Sequence, residues 1–266
     1  MSKPLVVKPP VIKPLVIKVG GALLNDKAAQ QALFAQLAQL SRPWVLLHGG
    51  GALVDQWLSK LGFNVERRRG LRVSPAEQMP FITGALAGCA NTELVSGAVA
   101  ASIPAIGLSM VDAGCSASLL ADDLGQVGEV THTNPEPLQK LLAADFRPLV
   151  CSIACGADGA LLNINADDAA VAIAKAIGGD LLLLSDVPAV LDGNRQPIPK
   201  LDEGQIESLI TEGVIVDGMA VKVRAALAAA KAAGGKVLIA SWQQPEAIVQ
   251  WCAGESVGTE ISESSS

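Results

Sequence analysis

Leu15-Val16-Ile17-Lys18-Val19-Gly20-Gly21 and Trp44-Val45-Leu46-Leu47-His48-Gly49-Gly50-Gly51 decide the fold class of this 266-residue chain. Each is a short apolar run that stops at a glycine cluster. Runs of that length, rich in branched aliphatics, read as buried strands of a sheet covered on both faces. Glycine at the strand end lets the backbone turn sharply and lets its N–H groups approach a ligand closely. A helix beginning there adds the positive end of its dipole, so both turns read as cradles for anions. Lys18 sets a mobile positive charge beside the first cradle. The combination points to phosphate chemistry.

Working outward, apolar runs alternate with helical patterns along most of the chain, the pattern of a parallel or mixed sheet with helices on both faces. Residues 26–40 carry Ala29, Leu33, Leu37 and Leu40 at helical spacing, and Leu53, Val54, Trp57, Leu58 and Leu61 form a second apolar helix face. Pro75 opens a helical stretch to about Ala101, rich in Ala and Gly, whose small residues allow close contact across a subunit interface. Residues 103–108 and 149–153 read as further strands. The polar, glycine-punctuated stretch 112–133 reads as hairpins at one edge.

Residues 167–177 read as a helix with Ala170, Ile173, Ala174 and Ile177 inward, and 181–184 as a strand ending at Ser185-Asp186. A short helix carries 206–210, and an alanine-rich helix over 219–233 stops at Gly234-Gly235. Residues 236–240 read as the last strand and 255–266 as a polar stretch without regular structure. The expected architecture is a three-layer αβα sandwich with a mainly parallel central sheet. One domain is drawn over 15–261, between an extended leader (1–14) and a polar tail (262–266). A boundary near Gly178-Gly179 divides it into an N-lobe (15–178) and a C-lobe (179–261).

Half the residues are hydrophobic but 3% are aromatic and none is Tyr, so small and branched aliphatics fill the core. With a net charge of −6 and no long basic stripe, a nucleic-acid partner is not expected. Arg67-Arg68-Arg69 is the one basic cluster, either a solvated loop or an anion-steering group. No apolar stretch is long enough to span a membrane, and the Lys- and Pro-containing N-terminus lacks the apolar segment of a secretory signal. Five cysteines without zinc-type spacing suit free thiols in a reducing cytoplasm. With His48 and His132 as its histidines, the chain is not expected to build a histidine metal centre.

Neither glycine cluster fits the Walker A or the dinucleotide fingerprint. Two further constellations carry chemistry. Asn163-Ile164-Asn165-Ala166-Asp167 ends an apolar segment and opens a helix, with more polar groups than one helix cap requires. Asp217-Gly218-Met219-Ala220-Val221-Lys222 makes Asp217 a candidate N-cap and sets Lys222 where its ammonium can lean back toward the helix start.

In order, K-x-G-G, H-G-G-G, N-x-N-A-D and D-G-M-x-x-K resemble the N-acetylglutamate kinases of the amino-acid-kinase family. Gly70-Leu71-Arg72-Val73, Gly84-Ala85-Leu86-Ala87-Gly88, Leu184-Ser185-Asp186-Val187, Ile239-Ala240-Ser241-Trp242 and Gly258-Thr259 extend the resemblance over about residues 15–261. It implies transfer of the γ-phosphoryl of ATP to the side-chain carboxylate of N-acetyl-L-glutamate, the second step of arginine synthesis. It assigns catalysis to Lys18, Lys222 and Asp167, acceptor binding to Gly50, Gly51, Arg72 and Asn163, and phosphate contacts to Gly20 and Gly21. ATP is expected along Asp186, Val187, Pro188, Ala189, Val190 and Leu191, and along Val214, Ile215 and Val216. Mg2+ is expected on the phosphates and water, with no protein ligand.

The chain departs from the family's D-V-x-G at Asp186-Val187-Pro188-Ala189. Arginine-inhibited members carry an N-terminal helix that joins dimers into hexamers. The proline-rich residues 1–14 cannot form one, so a homodimer insensitive to arginine is expected. Two alternatives stand beside this reading. One is a related kinase acting on an aminoadipate derivative or on glutamate, since pocket volume chooses chain length. The other is an ATP-binding regulator without catalysis, against which the intact Lys18, Asp167 and Lys222 argue.

Overall fold

The computed structural model describes residues 13–262, so the leader expected over 1–14 lies outside the described residues apart from Lys13 and Pro14, as does the tail after Ser262. The chain enters through β1 (Leu15–Val19), makes one helical turn, α1 (Gly21–Leu24), and continues through α2 (Lys27–Leu37), β2 (Trp44–His48) and α3 (Gly51–Lys60). A small hairpin, β3 (Arg67–Arg68) and β4 (Leu71–Arg72), leads to α4 (Met79–Thr83), a π-helical segment (Gly84–Ala90) and α5 (Asn91–Ala100). Next come β5 (Ala105–Ser109), β6 (Cys115–Leu119), β7 (Val127–Thr133), α6 (Glu136–Ala143), β8 (Arg147–Cys151), β9 (Ile153–Cys155), β10 (Leu161–Ile164) and α7 (Ala166–Ile177). The last part holds β11 (Asp180–Ser185), β12 (Lys200–Leu201), α8 (Glu203–Thr211), α9 (Asp217–Ala233), β13 (Val237–Ser241), α10 (Glu246–Cys252) and β14 (Thr259–Ile261).

Eight strands form one sheet in the order β12-β14-β13-β11-β1-β2-β8-β5, parallel throughout except where β14 runs against β13. The αβα sandwich with a mainly parallel sheet expected from the sequence is therefore present. Because both faces are covered, the central strands are apolar at successive positions, and their period of two sorts those residues between two cores. Leu15, Ile17 and Val19 join Phe34, Leu94 and Ile248 on one face. Val16 joins Ala170, Ile173, Ala226 and Ala230 on the other. Lys18 has the parity of Val16, so at the end of β1 it meets α7 and α9.

Four differences from the sequence reading have physical causes. The helical stretch from Pro75 is interrupted: a 3-10 turn (Ala76–Gln78), α4 and the π segment precede α5. Small residues carry little periodicity, so a widened turn among them leaves no mark in the pattern. The hairpin strands β6 and β7 are not at the sheet's edge but close with β9 and β10 into a separate four-stranded barrel. Val216, not Asp217, is the N-cap of α9, and Asp217 is its first helical residue. The polar stretch from 255 contains β14, fixed beside β13 by the fully buried Thr259 and Ile261. The Thr259 hydroxyl accepts from Val190 N at 2.8 Å and donates to Ile198 O at 2.7 Å. Three residues are too few to show a strand period.

All five cysteines are free. Burial pushes the Cys151 thiol up to about 12, so it stays protonated and inert. No helix among the described residues is long and apolar enough to cross a membrane.

Candidate active site

The two glycine clusters meet at the carboxyl ends of β1 and β2. A Cβ built on Gly21 lies 3.7 Å from Gly51 N and 3.8 Å from Ala52 N, so the first turn of one helix abuts the first amides of the other. Around Gly20 there is open space, whereas Gly50 is enclosed. A Cβ there would stand 2.7 Å from Cδ2 of Leu86, itself 3% exposed. Below the second cluster, His48 is fully buried. Its Nδ1 donates to Gly49 O at 2.8 Å, and Asn91 Nδ2 donates to its Nε2 at 3.0 Å and to Leu149 O at 2.8 Å. Burial drives its pKa down to about 4, partly opposed by the bond to Gly49, so the ring is a neutral brace for the turn.

Lys18 Nζ pairs with Asp167 Oδ1 at 2.9 Å. The strand parity of Lys18 and the start of α7 produce that contact. Asn165 is the N-cap: its Oδ1 accepts from Asp167 N at 2.8 Å and from Asp168 N at 3.3 Å, which sets the carboxylate of Asp167 at the helix entrance. Lys222, near the start of α9, lines the same cleft as Lys18 and Asp167, together with Leu183, Leu184, Ser185, Ala225 and Ile239. Asp167 puts a carboxylate beside Lys18 in this cleft, which offsets repulsion between the two ammonium groups. Next to it, burial and then the charge of Asp167 raise the Asp168 carboxyl above its ordinary value.

The second cleft adjoins the first across α7's N-terminus. Gly49, Gly50 and Gly51 form its floor, the hairpin residues Arg67, Leu71 and Arg72 one wall, and Ser152 and Asn163 to Ala166 the other. Arg72 is 6% exposed in its side chain, pairs with Asp55 and donates through Nη2 to Gly51 O at 2.8 Å. Asn163 Nδ2 donates to Ser74 Oγ at 3.2 Å, and that hydroxyl donates to Arg72 O at 3.2 Å. Burial works against the Asp55 carboxylate, but Arg72 and Arg67 outweigh it and hold the group below the usual carboxylate range.

The structure thus brings together Lys18, Asp167 and Lys222 in one cleft, and Gly50, Gly51, Arg72 and Asn163 in the other; Gly20 and Gly21 line neither, though Gly21 abuts Gly51. The segment 186–191 follows β11 but stands apart from both linings. Asp186 Oδ1 accepts from Trp242 Nε1 at 2.7 Å, and Val187 N donates to Ser185 Oγ at 3.4 Å. Pro188 is exposed, while Ala189 and Val190 lie in the core; Leu191 pairs with Pro197 in an isolated bridge. Of the residues before α9, Val214 and Ile215 donate their amides to Leu209 O, Ile215 is buried and Val216 is half exposed. Sequence reasoning missed Asp55, Ser74 and Ser152, and named Ser185 only as part of a strand end. A single polar residue on an apolar helix face or at a strand end gives no signal of its own. No group of three or more His, Cys, Asp and Glu among the described residues could hold a metal ion.

A mainly parallel αβα sheet with its site on strand-end glycines, and a Lys–Asp pair between two helix starts, defines a class. Residues 13–241 match the amino acid kinase family, and the chain belongs to it. It is 48% identical over 251 residues to acetylglutamate kinase of Aeromonas salmonicida, covering 92% of this chain and 97% of that protein. Acetylglutamate kinase of Pasteurella multocida is 47% identical over 251 residues, covering 92% of this chain and 98% of that protein. Among solved structures, smu.665 from Streptococcus mutans superposes with a TM-score of 0.78 at 26% identity, covering 94% of this chain and 99% of that one. Carbamate kinase from Giardia, at 15% identity and a TM-score of 0.69, covers 96% of this chain and 100% of that one and shares the fold.

Proposed function

We propose that this chain transfers the γ-phosphoryl group of ATP to the side-chain carboxylate of N-acetyl-L-glutamate, giving N-acetyl-L-glutamyl 5-phosphate and ADP in arginine biosynthesis. The observation that carries the reading is the junction of the two clefts, where a guanidinium-lined pocket opens beside a Lys–Asp–Lys group across Gly21 and Gly51. An acceptor carboxylate, with a pKa of about 4.3, is ionised at neutral pH and needs no general base. One of its oxygens bonds to the γ-phosphorus while the bond from that phosphorus to the β–γ bridging oxygen breaks, and the electron pair leaves with ADP. Lys18 and Lys222 neutralise the transferring group and Asp167 fixes Lys18.

Arg72 and Asn163 hold the acceptor at the far end, Arg72 through a fork suited to the α-carboxylate. ATP lies on the C-lobe side (179–261) along 186–191 and 214–216, and the acceptor on the N-lobe (15–178). Asp167 is engaged by Lys18, and a Mg2+ ion, which when bound would neutralise phosphate charge, is proposed to be held by the phosphates and water. The chain acts as a homodimer in the cytoplasm. Supporting the dimer is a stripe of exposed small residues, Gly88, Ser96 and Ala100, beside the exposed Val99.

The test is ADP release with hydroxylamine trapping of the acyl phosphate, run with N-acetyl-L-glutamate, its aminoadipate homologue and free glutamate. Hydroxamate forming chiefly from N-acetyl-L-glutamate supports the reading. Faster turnover of either other acceptor, or none with any, overturns it.

A further inference from the structure

β3 and β4 place Arg67 and Arg72 directly opposite each other across the hairpin. Like charges in that register repel. One carboxylate separates them: Asp55, on the first turns of α3, gives Oδ1 to Arg72 Nη1 and Oδ2 to Arg67 Nη2, the latter at 2.8 Å. The two guanidinium groups also approach the same glycine, since a Cβ on Gly51 would lie 3.5 Å from Arg72 Nη2 and 3.7 Å from Arg67 Nη2. Two positive groups and one negative leave a surplus positive charge facing the acceptor cleft, which a second carboxylate neutralises. The next residues of the run have other partners: Arg68 and Arg69 both reach Asp123. Arg67 is therefore the member of the triple-arginine run that belongs to the cleft.

We infer that Asp55 is a positioning residue that clips the β3–β4 hairpin to the start of α3 and presents Arg67 together with Arg72 as a paired clamp for the acceptor's α-carboxylate. The inference rests on the acceptor proposed above. Without Asp55, the facing guanidinium groups push apart and Arg72 leaves its place over Gly51.

The experiment measures kcat and both KM values for wild type, Asp55→Asn, Arg67→Ala and the double variant. N-acetyl-L-glutamate is compared with 4-acetamidobutanoate, which keeps the reacting carboxylate and the acetamide but lacks the α-carboxylate. For Asp55→Asn the expected result is a rise of about tenfold or more in KM for N-acetyl-L-glutamate, the scale of one lost charge-assisted contact, with KM for ATP unmoved. For Arg67→Ala a smaller rise is expected, with weaker preference for N-acetyl-L-glutamate over 4-acetamidobutanoate. Adding Arg67→Ala to Asp55→Asn should lower KM relative to Asp55→Asn alone, because it removes the repulsion. A merely structural role would shift both KM values and would not give that rescue.

An unchanged or lowered acceptor KM in Asp55→Asn, an unchanged preference in Arg67→Ala, or strictly additive effects would each overturn the inference. If Asp55→Asn does not fold, Arg67→Ala and Asp55→Glu decide, the latter expected to retain the preference for the α-carboxylate. Failure of wild type to turn over N-acetyl-L-glutamate would instead remove the acceptor proposal itself.

Discussion

The two sides of the cleft are built on different principles. On the proposed acceptor side, the polar groups are tied to one another and to the backbone: Arg72 to Asp55 and Gly51, Asn163 to Ser74, and Ser74 to Arg72. On the proposed nucleotide side, Lys222 is exposed and has no ion-pair partner among the described residues, while Pro188 and Val216 stand in solvent. A preorganised pocket selects its ligand by the cost of leaving buried polar groups unpaired. An open, lysine-bearing surface contributes charge, which serves any nucleoside triphosphate. On the proposed assignment, acceptor choice is fixed in the resting protein, whereas the phosphoryl-transfer groups complete their contacts with ATP.

The sharpest test of that division is Lys222→Met. Turnover should fall by about two to three orders of magnitude, the size of one lost charge-stabilising donor, with acceptor KM little changed. Steady-state kinetics with both substrates varied checks it. Near-normal turnover would reduce Lys222 to a surface charge and leave Lys18 as the sole cation at the transfer point.

His48 tests whether the preorganisation reaches beneath the glycines. Its pKa is lowered to about 4 in the fold and is about 6.5 in the unfolded chain, so the unfolded state binds the proton more readily. Stability is therefore fully present above pH 6.5 and is lost as pH falls toward 4, by about 3 kcal/mol from this group. Urea titrations between pH 7 and pH 5, before carboxylates dominate, should show this slope in wild type and lose it in His48→Gln. An equal slope in both would take the imidazole out of the account.

Arg72→Lys probes the acceptor wall itself. A point charge cannot satisfy Asp55 and Gly51 O while holding a carboxylate through a fork, so KM for N-acetyl-L-glutamate should rise about tenfold. KM for ATP should hold. A mainly ATP-directed effect would exchange the assignments of the two sides.

Much of this arrangement was legible in the sequence because it is local. Lys18 and the glycines follow one strand, and the parity of β1 carries Lys18 to α7. Asn165 and Asp167 mark the start of α7 by residue type, and Gly178, read from the sequence as part of a lobe boundary, is its C-cap. The Asp55–Arg67–Arg72 cluster was not legible, since it joins a helix to a hairpin that no periodicity brings together. The π turn hides among alanines and glycines, and β14 depends on Thr259 finding Val190 and Ile198 across the fold. Long-range pairing leaves no local pattern. Arg67-Arg68-Arg69 looked uniform as a run, yet the partners separate it into one cleft residue and two that bind Asp123.

The smallest effect is expected where this chain departs from its family. Ala189 stands where the D-V-x-G pattern has glycine, which would matter if that backbone needed a left-handed conformation. It does not: among the described residues, Arg69, Ser102, Asp145 and Arg195 are the non-glycine residues with positive φ, and Ala189 is not one of them. The residue is 3% exposed, and the next amide is held by Thr259. Restoring glycine by Ala189→Gly should therefore change KM for ATP by no more than about twofold, the range of a substitution that disturbs no special backbone geometry. The variant should instead melt earlier, because glycine loses more backbone entropy on folding and leaves a methyl-sized gap. A large gain in ATP affinity would show that the loop after β11 is constrained by its alanine, and the contrast between a rigid acceptor side and a permissive nucleotide side would have to be redrawn.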